Sequence, residues 1–308
     1  MFAPPRPRRV LFASLALLLG LTLYSSRARA DDFHYRPEWR KFGAVDYVAT
    51  GATVAALVTL EFSQGEPTYA TWTSPVPLMD VPVRDAIVAD SRDARERATL
   101  YSDWLWHGLA IFPFVDVTLT PLNRGADGAA IWQLSMINVQ AFATAGLLVR
   151  IPQKWLGRTR PTVIGCDEDP DYSSQCKSTI RFASFPGGHF AAATTGAGLT
   201  CAHHLHGRLY GGSGDIIACG STLGAAGLVG YLRLYADEHW LSDQLVAGAM
   251  GLFSGYVMPT LLYYRPFWRS APKPAKAAQV QAGTLSWTLA PQITPDTLGI
   301  SLLLLEAR

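Results

Sequence analysis

Six apolar stretches, each too long for a typical strand, dominate the chain from residue 44 onward: about Ala44 to Phe62, Asp103 to Leu122, Ala129 to Val149, His189 to His206, Ile216 to Ala236 and Gln244 to Tyr264. Gly, Pro and polar clusters separate them, so the pattern predicts helices. The third and sixth carry no charged residue, and runs of about 20 such residues are what a bilayer-crossing helix requires. The first, second and fourth are weaker spans. Asp46, Asp103 and Asp116 interrupt or flank the first two, and the fourth is rich in small residues over 191–198. Such residues allow close helix approach in a bilayer, and they suit a tightly packed soluble bundle as well. The expected fold is all-α, a six-helix bundle over residues 44–264.

Composition narrows the function classes. Only 16% of the 308 residues are charged, against about 25% in ordinary soluble domains. The net charge of +2 offers no broad basic field for a phosphate backbone, so no nucleic-acid partner is expected, and 49% apolar content excludes a disordered chain.

The segments outside the bundle have their own character. Arg6, Arg8 and Arg9 precede an apolar or small run from Val10 to Tyr24, and Ala28-Arg29-Ala30 offers a small-residue cleavage site. Residues 1–30 therefore read as a secretory signal, or as an uncleaved anchor, and either addresses the chain to the cell envelope. A lead-in follows over 31–43. Between the first two stretches, 63–102 is polar and Pro-rich, and its second half suits a short amphipathic helix. After Tyr264 comes a basic linker, 265–284, with Arg265, Arg269, Lys273 and Lys276. Residues 285–308 read as two strands of a β-hairpin separated by Pro295-Asp296-Thr297.

The four cysteines agree with an oxidising compartment. Cys166 and Cys176 lie ten apart in a polar stretch that has no core of its own, where a bridge would pin the loop. Cys201 and Cys219 flank Gly211-Gly212-Ser213-Gly214 almost symmetrically, so two antiparallel helices joined there would bring them level. The alternative is four buried thiols. No zinc-type Cys/His spacing appears, and no metal or cofactor is expected.

With charges so scarce, those beside apolar helices stand out. Lys154, Arg158 and Arg160-Pro161 follow the third stretch, Pro186-Gly187-Gly188-His189 opens the fourth, Arg233 ends the fifth, and His239 and Asp243 begin the sixth. In an antiparallel bundle all of these converge at one end. Arg160 and Arg233 are planar forks suited to phosphoryl oxygens. Gly187 and Gly188 leave backbone N–H groups able to approach an anion at a helix N-terminus. Asp243, four residues after His239, is placed to orient that ring as a nucleophile, while His189 on another helix is placed to protonate a leaving oxygen. The set describes metal-free phosphoryl transfer through a phosphohistidine.

These residues resemble the signature of the type 2 phosphatidic acid phosphatase and vanadium haloperoxidase superfamily. That signature is Lys, six residues, Arg-Pro; then Pro-Ser-Gly-His; then Ser-Arg, five residues, His, three residues, Asp. Here it reads Lys154 to Arg160-Pro161, Pro186-Gly187-Gly188-His189, and Leu232-Arg233 to His239 to Asp243, followed by Ala247-Gly248. The resemblance implies His239 as nucleophile, Asp243 as its partner, His189 as general acid, and Arg160 and Arg233 as phosphate ligands. Three positions depart from it. The lysine position is Gln153, with Lys154 one place closer, about 100° round a helix. Gly187 and Leu232 replace serines. A haloperoxidase using vanadate fits less well without the lysine and serine contacts. Asp237 and Glu238, directly before His239, would oppose an anionic substrate and are expected to face outward.

The expected activity is hydrolysis of a lipid phosphate or diphosphate at a membrane; a silent lipid-binding or scaffold protein is the contrasting possibility. Topology conflicts internally. A cleaved signal and six spans put the catalytic face in the cytoplasm, whereas the basic clusters at both ends of the bundle put it outside. The reading taken is an inner-membrane protein with its site facing the periplasm, with a soluble or peripheral periplasmic domain as the alternative.

Overall fold

The computed structural model describes residues 33–63 and 65–265, together with the backbone of 286–294 and 297–305. The expected signal segment and all of the basic linker except Arg265 lie outside the described residues. Eight α-helices form there, not six: α1 Ala44–Ser63, α2 Asp80–Ile87, α3 Arg92–Asn123, α4 Gly128–Trp155, α5 Thr162–Glu168, α6 Gly188–Gly207, α7 Ser213–Tyr235 and α8 Leu241–Leu252. Each apolar stretch lies within a long helix, and α8 runs on through two π-turns, Phe253–Val257 and Thr260–Tyr264. The two additional helices, α2 and α5, are short and lie in segments too polar to register as apolar runs.

Local chemistry sets several boundaries. Ser91 accepts from the Ala94 amide at 3.3 Å, so α3 starts eleven residues before the apolar stretch that predicted it. Asp127 caps α4 in the same way, through the Ala130 amide at 2.8 Å. These are N-cap contacts that satisfy otherwise orphaned first-turn donors.

Helix α6 is the axis of the first compact unit, packed against α3, α4, α7 and α8. Small residues at its contacts permit this. A Cβ at Gly196 would lie 2.0 Å from the Leu109 carbonyl oxygen of α3, and one at Gly255 would lie 2.1 Å from the Thr195 carbonyl oxygen. Helices α1, α3, α4, α7 and α8 with its π-turns are long and apolar enough to cross a membrane, and α6 is not among them. The outer helices present large apolar side chains to the exterior, including Val45 (80% exposed), Phe62 (87%) and Ile216 (68%). An apolar exterior of this extent suits a lipid environment, and these helices support association with a membrane.

Both cysteine pairs are bonded: Cys166–Cys176 ties α5 to the following 3₁₀ turn, and Cys201–Cys219 ties α6 to α7. In the second compact unit, residues 267–308, the described backbone consists of β1 Ser286–Thr294 and β2 Thr297–Leu305, paired antiparallel.

Candidate active site

A cavity of about 390 Å³ opens where the end of α4 meets the start of α6. Arg160, Gly188, His189 and His239 line it, with Phe142, Val149, Ala191 and Ala192 supplying apolar wall. Of the eight predicted site residues, these four reach the cavity. Arg233 and Asp243 stand behind it, and Gly187 and Lys154 are turned to other partners.

The loop carrying His239 is shaped by how α7 ends. The Asp237 amide donates to Leu234 O and the Glu238 amide to Arg233 O, both at 3.0 Å, with Asp237 in the left-handed region at φ 61. This is a Schellman stop. It turns the chain sharply, so that residues 237–239 fold back into the bundle rather than continuing outward along α7.

His239 is 3% exposed. Its Nδ1 lies 2.7 Å from the Ser184 carbonyl oxygen. A carbonyl only accepts, so Nδ1 carries the proton and Nε2 carries the lone pair. Nε2 has no hydrogen-bond partner among the described residues. Burial pushes the imidazole well below its ordinary pKa, and Arg160 and Arg233 push it the same way. His239 is therefore a neutral base with one free nitrogen at a cavity wall.

Asp243 does not bond His239. Its Oδ2 is 3.8 Å from Nδ1, because α8 begins only at Leu241 and the two residues do not share a helical turn. The carboxylate instead accepts from the Trp240 amide at 2.9 Å and from Ser184 Oγ at 2.6 Å, and pairs with Arg158. Ser184 thus connects the two residues, hydroxyl to Asp243 and carbonyl to His239. Arg158 also donates to Asp80 of α2 at 2.6 Å and lies under the Trp72 ring, 4.0 Å from its centroid. Asp80 in turn accepts from the Ser242 amide at 2.9 Å. Segment 63–102 therefore braces the site from behind.

The residues expected to face outward do the reverse. Asp237 and Glu238 are 0% and 2% exposed. Asp237 takes both arms of Arg84 at 2.7 and 2.8 Å and the Tyr172 hydroxyl at 2.8 Å. Glu238 pairs with Arg160 and lies 3.7 Å from Arg233 Nη2. A buried carboxylate is tolerable only when paired, and the cations around this turn supply the pairing. Burial alone would raise the Glu238 carboxyl, but Arg160 and Arg233 outweigh it and hold the group below its ordinary value.

His189 Nε2 and Arg233 Nη1 both lie 3.2 Å from Asp103 Oδ1 of α3. Arg160, the two histidines and the start of α6 thus border the cavity, with Arg233 behind them.

The family model of the PAP2 superfamily matches residues 134–267, from within α4 through α8. Over that span the chain is similar to the PAP2 superfamily. This supports a phosphatase-type hydrolase acting on a phosphoester. No curated protein and no solved structure matches the chain.

The departures from the PAP2 signature have local physical causes. A Cβ at Gly187 would stand 2.6 Å from Gln244 Oε1, so a serine here requires the Gln244 side chain to move aside. The Gly187 amide also points to the Asp243 carbonyl, at 3.4 Å, and not into the cavity. Helix α4 persists through Trp155, which turns Lys154 toward Glu66 at 3.1 Å. Gln153 takes the cavity-facing position and donates to the Pro186 carbonyl at 2.7 Å. The cation that α4 contributes to the cavity is Arg150, one turn earlier, bonded to Gln153 Oε1 at 2.7 Å and to Glu66 at 2.9 Å.

Sequence reasoning missed Arg150, Ser184 and Asp80, and gave Arg158 no role. Arg158, two residues before Arg160, was visible as a scarce charge. Asp80 carried no signal, since its importance comes from contacts 78 and 162 residues away.

Proposed function

We propose that the protein hydrolyses a lipid phosphate or diphosphate through a phosphohistidine formed at His239. The observation that carries this reading is the buried, proton-free and unpartnered Nε2 of His239 beside Arg160 and Arg233. In the first step Nε2 attacks phosphorus, the P–O bond to the lipid breaks, and His189 gives the departing oxygen a proton. Water then attacks the phosphohistidine, His189 recovers a proton from it, and inorganic phosphate leaves. Arg160 and Arg233 neutralise the phosphoryl oxygens, and Asp243 acts through Ser184 to hold the ring and favour its cationic form as the N–P bond forms. The arginines supply the charge, so the mechanism invokes neither metal nor cofactor.

The apolar wall supports a substrate with an acyl or prenyl tail: Phe142, Val149, Ala191 and Ala192 continue from the histidines along α4 and α6. The site lies on the same side as the Cys166–Cys176 loop, which agrees with a periplasm-facing orientation in the inner membrane.

The test is a panel of labelled lipid phosphates and diphosphates presented in mixed micelles. Phosphate should be released, and quenching in base should trap label on His239. Absence of release from every member, with His239→Ala indistinguishable from wild type, overturns the reading.

A further inference from the structure

Glu238 has no place in the mechanism above, yet it occupies the position where that mechanism needs an anion. Its Oε2 pairs with Arg160 and lies 3.7 Å from Arg233, and its Oε1 accepts from Gln175 Nε2 at 2.6 Å and faces Thr99 Oγ1 at 3.5 Å. The carboxylate is adjacent in sequence to the nucleophile and almost fully enclosed. Arg233 is further engaged by Asp103, so two arginines face two carboxylates and the cradle holds no surplus positive charge. Arg233 Nε is nonetheless buried without a partner among the described residues. The arginines therefore have donor capacity for an incoming anion, but part of it is held by the chain's own carboxylate.

We propose that Glu238 is an internal competitor for the phosphate subsite, a specificity-determining residue that a phosphoryl group must displace from the arginines in order to bind. The inference rests on the phosphatase reading of the same site. Its consequence is selectivity. A lipid phosphate has its tail held by the apolar wall and can spend that contact energy on displacing Glu238. Inorganic phosphate and small soluble monoesters have no tail and meet the full competition. The carboxylate thereby disfavours soluble phosphates and helps expel the inorganic product after each turnover.

The test measures orthovanadate and inorganic phosphate binding directly, by ⁵¹V and ³¹P NMR titration of the full-length protein in detergent, beside lipid phosphate turnover. Glu238→Gln keeps the shape and removes the charge. It should tighten both anions by at least about tenfold, since it exposes arginine charge that was paired in a buried setting, and should lower KM for a soluble monoester more than for a lipid phosphate. Gln175→Ala removes one anchor of the carboxylate and should tighten the anions by a smaller factor, about two- to threefold. This second variant decides the matter if Glu238→Gln fails to fold. Unchanged or weaker anion binding in the folded variants overturns the competitor role even when wild type hydrolyses lipid phosphates. Tighter binding without any hydrolysis by wild type upholds competition and overturns the phosphatase reading instead.

Discussion

Two buried histidines beside aspartates sit at opposite ends of α6, and they are built for opposite ends of the functional scale. His204, in the last turn of α6, has Nδ1 2.8 Å from Asp215 and Nε2 2.9 Å from Asp116. Ionised carboxylates only accept, so both ring nitrogens donate and the imidazole is held as a cation. The aspartates are themselves saturated: Asp116 by Thr120 and the Tyr210 hydroxyl at 2.8 and 2.9 Å, Asp215 by the Tyr210 and Gly211 amides at 2.9 and 3.0 Å. This cluster fastens α3, α6 and α7 together and leaves nothing to react. His239, near the other end, has one nitrogen on a carbonyl and the other without a partner among the described residues. Both histidines have an aspartate nearby; the unsatisfied nitrogen is what distinguishes the two.

Substitution at these two positions is the strongest way to break the contrast. His239→Gln should lower phosphate release by about 10³-fold or more, since it removes the proposed nucleophile, while its melting temperature stays near that of wild type at neutral pH. His204→Gln should do the opposite. It leaves two buried carboxylates short of a cation, at a cost of about 3–5 kcal/mol, readable as a fall in melting temperature with turnover per folded molecule retained. Loss of activity without loss of stability at His204 would dissolve the distinction.

A smaller effect is expected at the residue joining Asp243 to His239. Ser184→Ala keeps the carbonyl that fixes the tautomer but removes one of the two hydrogen bonds to Asp243 Oδ2, a loss of about 1–3 kcal/mol for a bond to a charged group. It should appear as a drop in kcat larger than any change in KM.

The pH dependence of stability sharpens the comparison further. An unfolded chain binds a proton at His239 as pH falls through about 6.5, whereas the folded ring, with its pKa well below that value, refuses it. The contribution of His239 to stability is therefore level above that pH and declines below it. Glu238, held below its ordinary 4.5, adds a second loss under that value as the carboxylate that pairs with the arginines is protonated. Thermal melts across this range should show the first decline flattened in His239→Gln. An unchanged slope would remove the buried neutral His239 from the account. The smallest effect separates neighbours on α4. Arg150→Ala should raise KM for a lipid phosphate a few-fold, about 1 kcal/mol, and Lys154→Ala should change KM less.

Much of this was legible in the chain. The six apolar runs each lie in a long helix because burial or membrane exposure of about twenty residues leaves a strong local signature. Both cysteine pairings follow from symmetry about a turn and from confinement within one loop, which are short-range facts. The positions of Arg160, His189 and His239 at one end of the bundle follow from counting antiparallel helices. The short helix α5 escaped because it is polar, whereas α2 overlaps the short amphipathic helix expected in the second half of 63–102.

The sequence by itself determined which segments are helical, which helix ends meet, and which arginines and histidines gather where they meet. Only the tertiary structure decided how those residues are connected. Whether Asp243 reaches His239, whether Lys154 or Arg150 serves the cavity, and whether Glu238 points inward depend on contacts with Ser184, Glu66, Arg160 and Arg233. The physical reason is that apolar periodicity acts over neighbouring turns, whereas a buried charge goes wherever the fold assembles its counter-charge.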